Sequence, residues 1–229
     1  MKRKVKLENI FYKKDGVIVN FQFKTTNTKT GDLVQNYFIP EAWIQTDKSI
    51  DELDDKAVCF DCKHGQSDEA TCYVRDKFKS RGLKSKIRGL RDRGLDSIPD
   101  LDQSIEDQLL EQIELWGKGV RFGAYGEPIL LGEDLVEKIS KRTKYWTGYT
   151  HQWHKNPWAK KYFMASVDFG VVDKAARQMG WRTFFVNGSD GDHVTCPASK
   201  EAGYKTTCDK CKLCMGTQSK AKSVKINIH

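Results

Sequence analysis

The sequence lacks any run of apolar residues close to the ~18 that a membrane-spanning helix needs. The positively charged N-terminal segment is not followed by the apolar stretch of a secretory signal, so we expect a cytoplasmic protein. Internal repeats and low-complexity tracts are also absent. Proline is scarce, at five of 229 residues, whereas aromatic residues make up 11% and argue against a disordered chain. This length is sufficient for one α/β domain or two small ones.

Charge is plentiful but unevenly distributed, with a net charge of +8. Residues 75–93 carry nine Lys or Arg against two Asp, and residues 200–225 carry seven Lys against two acidic residues. Residues 96–115 carry seven Asp or Glu and no Lys or Arg. A basic segment attracts polyanions, which makes 75–93 a candidate nucleic-acid contact. A solvated helix face explains the same run equally well.

The seven cysteines fall into two sets, and none lies outside them. The first thiol set is Cys59, Cys62 and Cys72, and the second thiol set is Cys196, Cys208, Cys211 and Cys214. An odd number of cysteines in a cytoplasmic chain argues against a disulfide framework. Their grouping favours metal ligation over core packing.

The two thiol sets predict different coordination. Four thiolates complete the shell of a zinc ion or a [4Fe–4S] cluster, whereas three leave one position for a substrate, a cofactor or a histidine. The consecutive spacing of Cys208, Cys211 and Cys214 favours an iron–sulfur cluster in the second set, with zinc as the alternative. In the first set, His64 would complete a Cys₃His zinc site.

Hydrophobic patterning predicts an α/β fold. The runs 17–23 and 33–39 flank a turn-rich segment and predict a β-hairpin. After residue 117, strands and helices alternate as in βα units, which predicts a mainly parallel sheet with ligands at the carboxyl ends of its strands. The predicted strands are 120–125, 145–153, 162–169, 181–187 and 224–228; the predicted helices are 105–116, 131–143 and 171–180, and 73–93 is helix-compatible.

Two sequence segments are similar to the radical S-adenosylmethionine family. They are VRFGAYGEPILL (120–131), with its Gly-Glu-Pro turn after a strand, and MASVDFGVVDKAARQMGWRTFFV (164–186). The order of parts over residues 56–215 is also similar: a three-cysteine loop, the Gly-Glu-Pro strand, further βα units and a cysteine-rich tail. The segments TGYTHQW, MASVD and GWRTF additionally resemble a bacteriophage protein family, which implies a phage origin and the host cytoplasm but no activity.

This resemblance implies a partial (βα) barrel at 56–190, between an N-terminal hairpin extension at 1–55 and a cysteine-rich metal-binding segment at 191–229. It implies that the first thiol set holds a [4Fe–4S] cluster whose open iron binds S-adenosylmethionine, and that the second set holds an auxiliary cluster. It assigns Gly126 and Glu127 to the methionyl ammonium, and Asp168 or Ser166 to the ribose hydroxyls.

The chain departs from the family pattern at two places. Nine residues separate the third cysteine of the first set from the second, where the family has C-x-x-x-C-x-x-C, and Tyr125 replaces the first glycine of Gly-Gly-Glu-Pro. An alternative is a non-enzymatic nucleic-acid-binding protein with structural zinc or iron–sulfur sites. Another is a host-interaction phage protein that uses the acidic helix at 102–116. If the protein is an enzyme, we expect a small-molecule substrate, whose identity the sequence does not give. The oligomeric state also stays open.

Individual polar residues also have two interpretations. His151 and His154 follow a predicted strand and are candidates for acid–base chemistry or hydrogen bonding to a substrate, although such histidines also cap strands. Glu127 precedes Pro128, so it is also a candidate for the cap of the helix that follows. Asp190 and Asp192 lie in a Gly-rich turn and need only form that turn.

Overall fold

The structure is a computed structural model that describes residues 7–25, 27–64, 72, 74, 81–188 and 192–227. It is a mixed α/β protein with two five-stranded sheets. The first sheet contains, in spatial order, β1 (Ile10–Lys14), β2 (Val17–Gln22), β3 (Val34–Pro40), β4 (Val120–Tyr125) and β5 (Trp146–Thr147). The second contains β6 (Tyr149–Thr150), β7 (Met164–Val167), β8 (Thr183–Val186), β10 (Val224–Ile226) and β9 (Val194–Thr195).

The α-helices connect these strands and begin and end at residues suited to those positions. The longest helix is bounded by the Asp102 side chain, which accepts from the Ile105 N–H at 2.8 Å, and by Gly117 with φ 64°. The helices are α1 (Lys56–Cys59), α2 (Arg81–Arg93), α3 (Gln103–Trp116), α4 (Glu133–Arg142), α5 (Gly170–Gln178) and α6 (Cys208–Cys211). The helix-compatible residues 73 and 75–80 lie outside the described residues.

The predicted N-terminal hairpin is present, because β2 and β3 pair antiparallel from Val17↔Pro40 to Gln22↔Gln35. An additional strand, β1, joins β2 through the tight turn at Asp15 and Gly16, both at positive φ. On its other side β3 pairs in parallel with β4, and β4 with β5. The first sheet is therefore mixed, with the hairpin as its antiparallel half.

The second sheet is parallel throughout, as the alternation of strands and helices predicts. Its strands lie within the predicted runs 162–169, 181–187 and 224–228 but are shorter. The two-residue strand β9 has no counterpart in the predicted set. Among the helices of the described ranges, none is long and apolar enough to cross a membrane.

The predicted strand 145–153 is wrong in extent, because the segment forms two short strands, β5 and β6, in different sheets. Gly148 lies between them, where its N–H donates to the Cys214 carbonyl and its own carbonyl accepts from the Met164 N–H, both at 3.1 Å. A Cβ on Gly148 would lie 2.9 Å from Phe163 Cδ1 and 3.1 Å from Phe122 Cβ. Only glycine allows the chain to pass between the sheets at this packing distance.

A single hydrophobic core spans both sheets. It includes Phe38 and Phe122 from the first sheet and Ala165 and Phe185 from the second. A smaller cluster beside the tail contains Met164, Phe184, Cys196, Ala198 and Val224. The boundaries at residues 55 and 190 remain predictions.

We expect Gly148→Ala to lower the free energy of unfolding by about 1–3 kcal/mol, because the added methyl group overpacks the contact with Phe163. Gly82→Ala is the matched control, since Gly82 lies in α2 and an added Cβ there meets open space. Better helix propensity should make that variant more stable by roughly 0.5–1 kcal/mol. Urea unfolding of both variants measures the difference, and equal effects would contradict the role given to Gly148.

Candidate metal centres

The first thiol set lies at the carboxyl ends of parallel strands. His151 and Asp168 directly follow β6 and β7, and Glu127 lies two residues after the end of β4. The first cysteine loop is attached to the same edge, because the Glu127 N–H donates to the Val58 carbonyl in α1 at 2.8 Å. β4 belongs to the first sheet and β6 and β7 to the second, and the contact between Glu127 and His151 joins their carboxyl ends. Ligands bind at the carboxyl ends of strands in α/β proteins, and the sequence predicts a site there.

Glu127 is buried and fully engaged by its neighbours. Its carboxylate accepts from the Thr150 hydroxyl at 2.5 Å, from the His151 N–H at 3.1 Å and from His151 Nδ1 at 2.7 Å. Only 4% of the residue is exposed. Glu127 occupies the N-cap position of the 3₁₀ turn Pro128–Leu131, where its carbonyl accepts from the Leu130 N–H at 3.2 Å, but its side chain makes no capping hydrogen bond there.

The His151 ring connects Glu127 to the first thiol set, since its Nε2 lies 3.6 Å from Cys62 Sγ. Burial by itself would lower the pKa of His151, but the hydrogen bonds to Cys62 and Glu127 outweigh burial and raise this pKa well above its usual value. A carboxylate, an imidazole and a thiol therefore form one connected chain of polar contacts. The pairing of Glu127 with His151 has no signal in the sequence, where the two residues are 24 positions apart.

The remaining cysteines of the first set are close to Cys62. A turn with Phe60 at φ 52° brings the Cys62 N–H to the Cys59 carbonyl at 3.0 Å. Burial first, and then the charges of Asp55, Cys62, Cys72 and Glu127, raise the pKa of the Cys59 thiol. Cys72 thus lies near Cys59, although residues 65–71 between them are outside the described residues.

His64 contacts Asp168. Its Nε2 lies 2.7 Å from Asp168 Oδ1, and Lys63 Nζ lies 3.7 Å from Oδ2. Burial opposes ionisation of Asp168, but the hydrogen bond from His64 and the charges of His64 and Lys63 hold the pKa of this carboxyl below its usual range. The prediction that His64 completes the first set therefore receives no support from this geometry.

The other residues of the predicted cofactor site lie nearby. Gly126, at φ 80°, forms the turn after β4, where a Cβ would lie 2.7 Å from Phe38 Cβ. Ser166 is inside β7 and 5% exposed. Gly126, Glu127 and Asp168 are thus at the edge that carries the first thiol set, whereas Ser166 is inside the sheet.

The second thiol set contacts the second sheet at two places: the Cys214 carbonyl accepts from Gly148 just before β6, and Cys196 directly follows β9. Cys196 N–H donates to the Lys225 carbonyl in β10 at 2.8 Å, and Cys208 N–H donates to the Lys29 carbonyl at 3.0 Å. Arg182 fixes the tail by donating to the carbonyls of four of its residues, namely Leu213, Gly216, Ala221 and Lys222, at 2.6–2.9 Å. The sequence gives no indication of this role of Arg182.

All four cysteines of the second set line one small pocket, together with apolar side chains that include Leu213 and Val224. Its volume is about 20 Å³. Burial, followed by the charges of Cys196 and Cys208, raises the pKa of Cys214 to about 12. Burial likewise raises the pKa of Cys196 and of Cys208. The four cysteines of the tail therefore line one pocket, and their role as metal ligands stays a prediction.

The two thiol sets lie near opposite ends of β7. Met164 at the start of β7 belongs to the apolar cluster that contains Cys196 and Cys214, and Asp168 after the end of β7 contacts His64 beside the first set. Four residues of strand span about 13 Å. No disulfide joins any of the seven cysteines, all of which are among the described residues.

Neither set is arranged around an ion as it stands. Within the described ranges, no group of three or more His, Cys, Asp or Glu side chains meets the geometry needed to hold a metal ion. Coordination at either set therefore requires side-chain rotation onto a common point. Rotation about a cysteine χ1 angle moves between staggered wells without backbone change.

The basic stretch 75–93 makes several contacts within the chain. Arg91 donates to the carbonyls of Trp43 at 3.0 Å and Lys48 at 2.9 Å, and Lys84 pairs with Asp51 at 3.3 Å. Lys86 donates to Asn20, and burial lowers its pKa to about 8. Part of this charge thus holds α2 onto the first sheet. Arg75, Lys77 and Lys79 lie outside the described residues, as does Asp190, whereas Asp192 pairs with Arg177 at 3.4 Å.

Comparisons of the chain with protein-family models, with curated proteins and with solved structures find no match.

We expect Arg91→Ala to lower the free energy of unfolding by about 1.5–3 kcal/mol, because two carbonyls lose a charged donor. Arg88→Ala, which removes an exposed side chain of the same helix, should stay within about 0.5 kcal/mol of the wild type. Urea unfolding tests both variants. Equal stability of the two variants would show that Arg91 does not hold α2 in place.

Proposed function

We propose that this chain is an iron–sulfur protein related in build to radical S-adenosylmethionine enzymes, with the cluster on Cys59, Cys62 and Cys72. The observation that carries the proposal is the meeting of Cys62, Glu127 and Asp168 around two histidines at one sheet edge. These three residues come from distant parts of the sequence, and the resemblance assigns all of them to one site. The proposal includes a partial barrel formed by β3, β4, β5 with β6, β7, β8 and β10.

Each group at this edge has a defined part in the proposal. The three thiolates would hold the cluster, which would supply one-electron redox chemistry at this edge. Glu127 fixes the orientation of His151 beside Cys62 through two hydrogen bonds. Lys63 and His64 keep Asp168 ionised at the end of β7.

S-adenosylmethionine does not fit this edge as the resemblance assigns it. The carboxylate of Glu127, which the resemblance gives to the methionyl ammonium, already accepts three hydrogen bonds from Thr150 and His151. The carboxylate of Asp168, given to the ribose, is bonded by His64. Both contacts must break before the cofactor takes these places, and we derive no reaction step through it.

The second thiol set is better suited to one ion than to an auxiliary cluster. A pocket of about 20 Å³ is comparable with the 10–15 Å³ that one water molecule needs. The eight-atom core of a [4Fe–4S] cluster requires this pocket to widen. Four thiolates around one small volume are the donor set of a structural zinc site.

A second candidate function is supported by one distance in the first set. Bonds of about 2.3 Å from zinc to sulfur and 2.0–2.1 Å to nitrogen, at a tetrahedral angle, place the two ligand atoms about 3.6 Å apart. Cys62 Sγ and His151 Nε2 are separated by 3.6 Å. A non-enzymatic protein with zinc at both thiol sets is therefore the alternative. Its interaction with nucleic acid or a host protein is supported by no contact of the described residues.

Metal and sulfide analysis of anaerobically purified protein tests the proposal. We expect about four irons and four sulfides per chain in the wild type, with one zinc ion. Cys62→Ala should lose iron and keep zinc, because it removes a ligand of the first set only. Cys211→Ala should keep iron and lose zinc, and each variant is the control for the other.

Two outcomes would contradict the iron–sulfur proposal. Two zinc ions and no iron would favour the second candidate, whereas no stoichiometric metal would exclude both. Iron lost from both variants in equal amounts would place a cluster at each set. Circular dichroism of each variant establishes that the loss of metal does not come from unfolding.

A further inference from the structure

The first thiol set supplies three ligands, so the fourth position of a metal held there is undetermined by the cysteines. The side chain that faces this set most directly is His151. Its Nε2 lies 3.6 Å from Cys62 Sγ, and its ring follows β6 at the same edge. The nitrogen that approaches the thiol is the one that metal-binding histidines commonly use.

The opposite side of the ring is fixed by Glu127. Nδ1 lies 2.7 Å from Glu127 Oε1, and the backbone N–H of His151 bonds the same oxygen at 3.1 Å. The Thr150 hydroxyl donates to the second carboxylate oxygen of Glu127 at 2.5 Å. A proton on Nδ1, donated to a carboxylate, leaves the Nε2 lone pair directed at the thiols. Histidine ligands of metals almost always have this carboxylate or carbonyl partner.

The other histidine of the cluster is held in a different direction. His64 Nε2 bonds Asp168 Oδ1 at 2.7 Å, and the centroids of the two histidine rings are 6.3 Å apart. His154, which follows three residues after His151, is exposed and packs against Trp153. His151 Nε2 contacts a thiol of the first set, that of Cys62.

We propose that His151 is the fourth ligand of the first centre and that Glu127 is its positioning residue. The inference rests on the proposed function in one respect, namely that the first thiol set holds a metal. It applies to either metal: His151 completes a Cys₃His ion site, or it caps the iron that three thiolates leave open. In the second case S-adenosylmethionine has to displace His151 to reach that iron.

Four variants test this inference: His151→Ala, His151→Cys, Glu127→Gln and the matched control His154→Ala. For an iron centre, the readout is the nitrogen hyperfine coupling of the reduced cluster; for zinc, it is the X-ray absorption fit to three sulfurs and one nitrogen. We expect the nitrogen signal in the wild type and in His154→Ala, and its loss in His151→Ala.

Metal release to a chelator gives a second, independent measurement. Glu127→Gln should weaken metal retention by about 10–100-fold while keeping the nitrogen ligand, as expected for a carboxylate that orients a histidine. His151→Ala should weaken it at least as much. His151→Cys should restore retention with an all-sulfur shell, because a thiolate replaces the lost donor.

The outcomes separate this inference from the proposed function. A wild-type protein that holds metal through Cys62 but shows no nitrogen ligand, with His151→Ala releasing metal at the wild-type rate, overturns the inference and leaves the proposed function intact. A wild-type protein without metal overturns both. If His151→Ala fails to fold, absence of the nitrogen signal in the wild type still decides against His151.

Discussion

The buried carboxylate of Glu127 is the constraint on which the candidate site depends. Its backbone N–H donates to α1, its side chain bonds the last residue of β6 and the residue after it, and its own position is set by the end of β4. Three segments that are far apart in sequence are therefore joined at one residue. A carboxylate that is only 4% exposed needs such partners, since an unpaired buried charge costs several kcal/mol.

Parallel strand pairing explains why the chemistry collects where it does. Each βα unit returns the chain to the same side, so the residues after β4, β6 and β7 arrive at one edge without any local signal that links them. Gly148 extends this arrangement from one sheet to the next, because the chain passes there between Phe122 and Phe163. The position of His151 beside Cys62 depends on this crossing at Gly148, which lies three residues before the histidine.

The sequence was sufficient to predict elements whose signals are local. β4 has the predicted bounds, and α4 lies within its predicted run, because hydrophobic periodicity and the Gly-Glu-Pro turn mark both. The segment 145–153 was predicted as one strand, since nothing local shows that Gly148 packs against two distant phenylalanines. The two thiol sets could be recognised from the spacing of the cysteines along the sequence. The Glu127–His151 pair was not, because a contact across 24 residues is set by sheet order rather than by pattern.

The surroundings of the two thiol sets differ in a way that bears on their roles. The second set is lined by apolar side chains, and its segment is fixed by four hydrogen bonds from Arg182 and by the β2–β3 loop. The Arg182 bonds tie the tail to the second sheet, and the β2–β3 loop ties it to the first sheet, as a structural centre requires. The first set has polar neighbours that are paired with one another, His151 with Glu127 and His64 with Asp168. These contacts raise the pKa of His151 and lower that of Asp168. Shifted pKa values collect at functional sites, so the first set is the place at which to test for function.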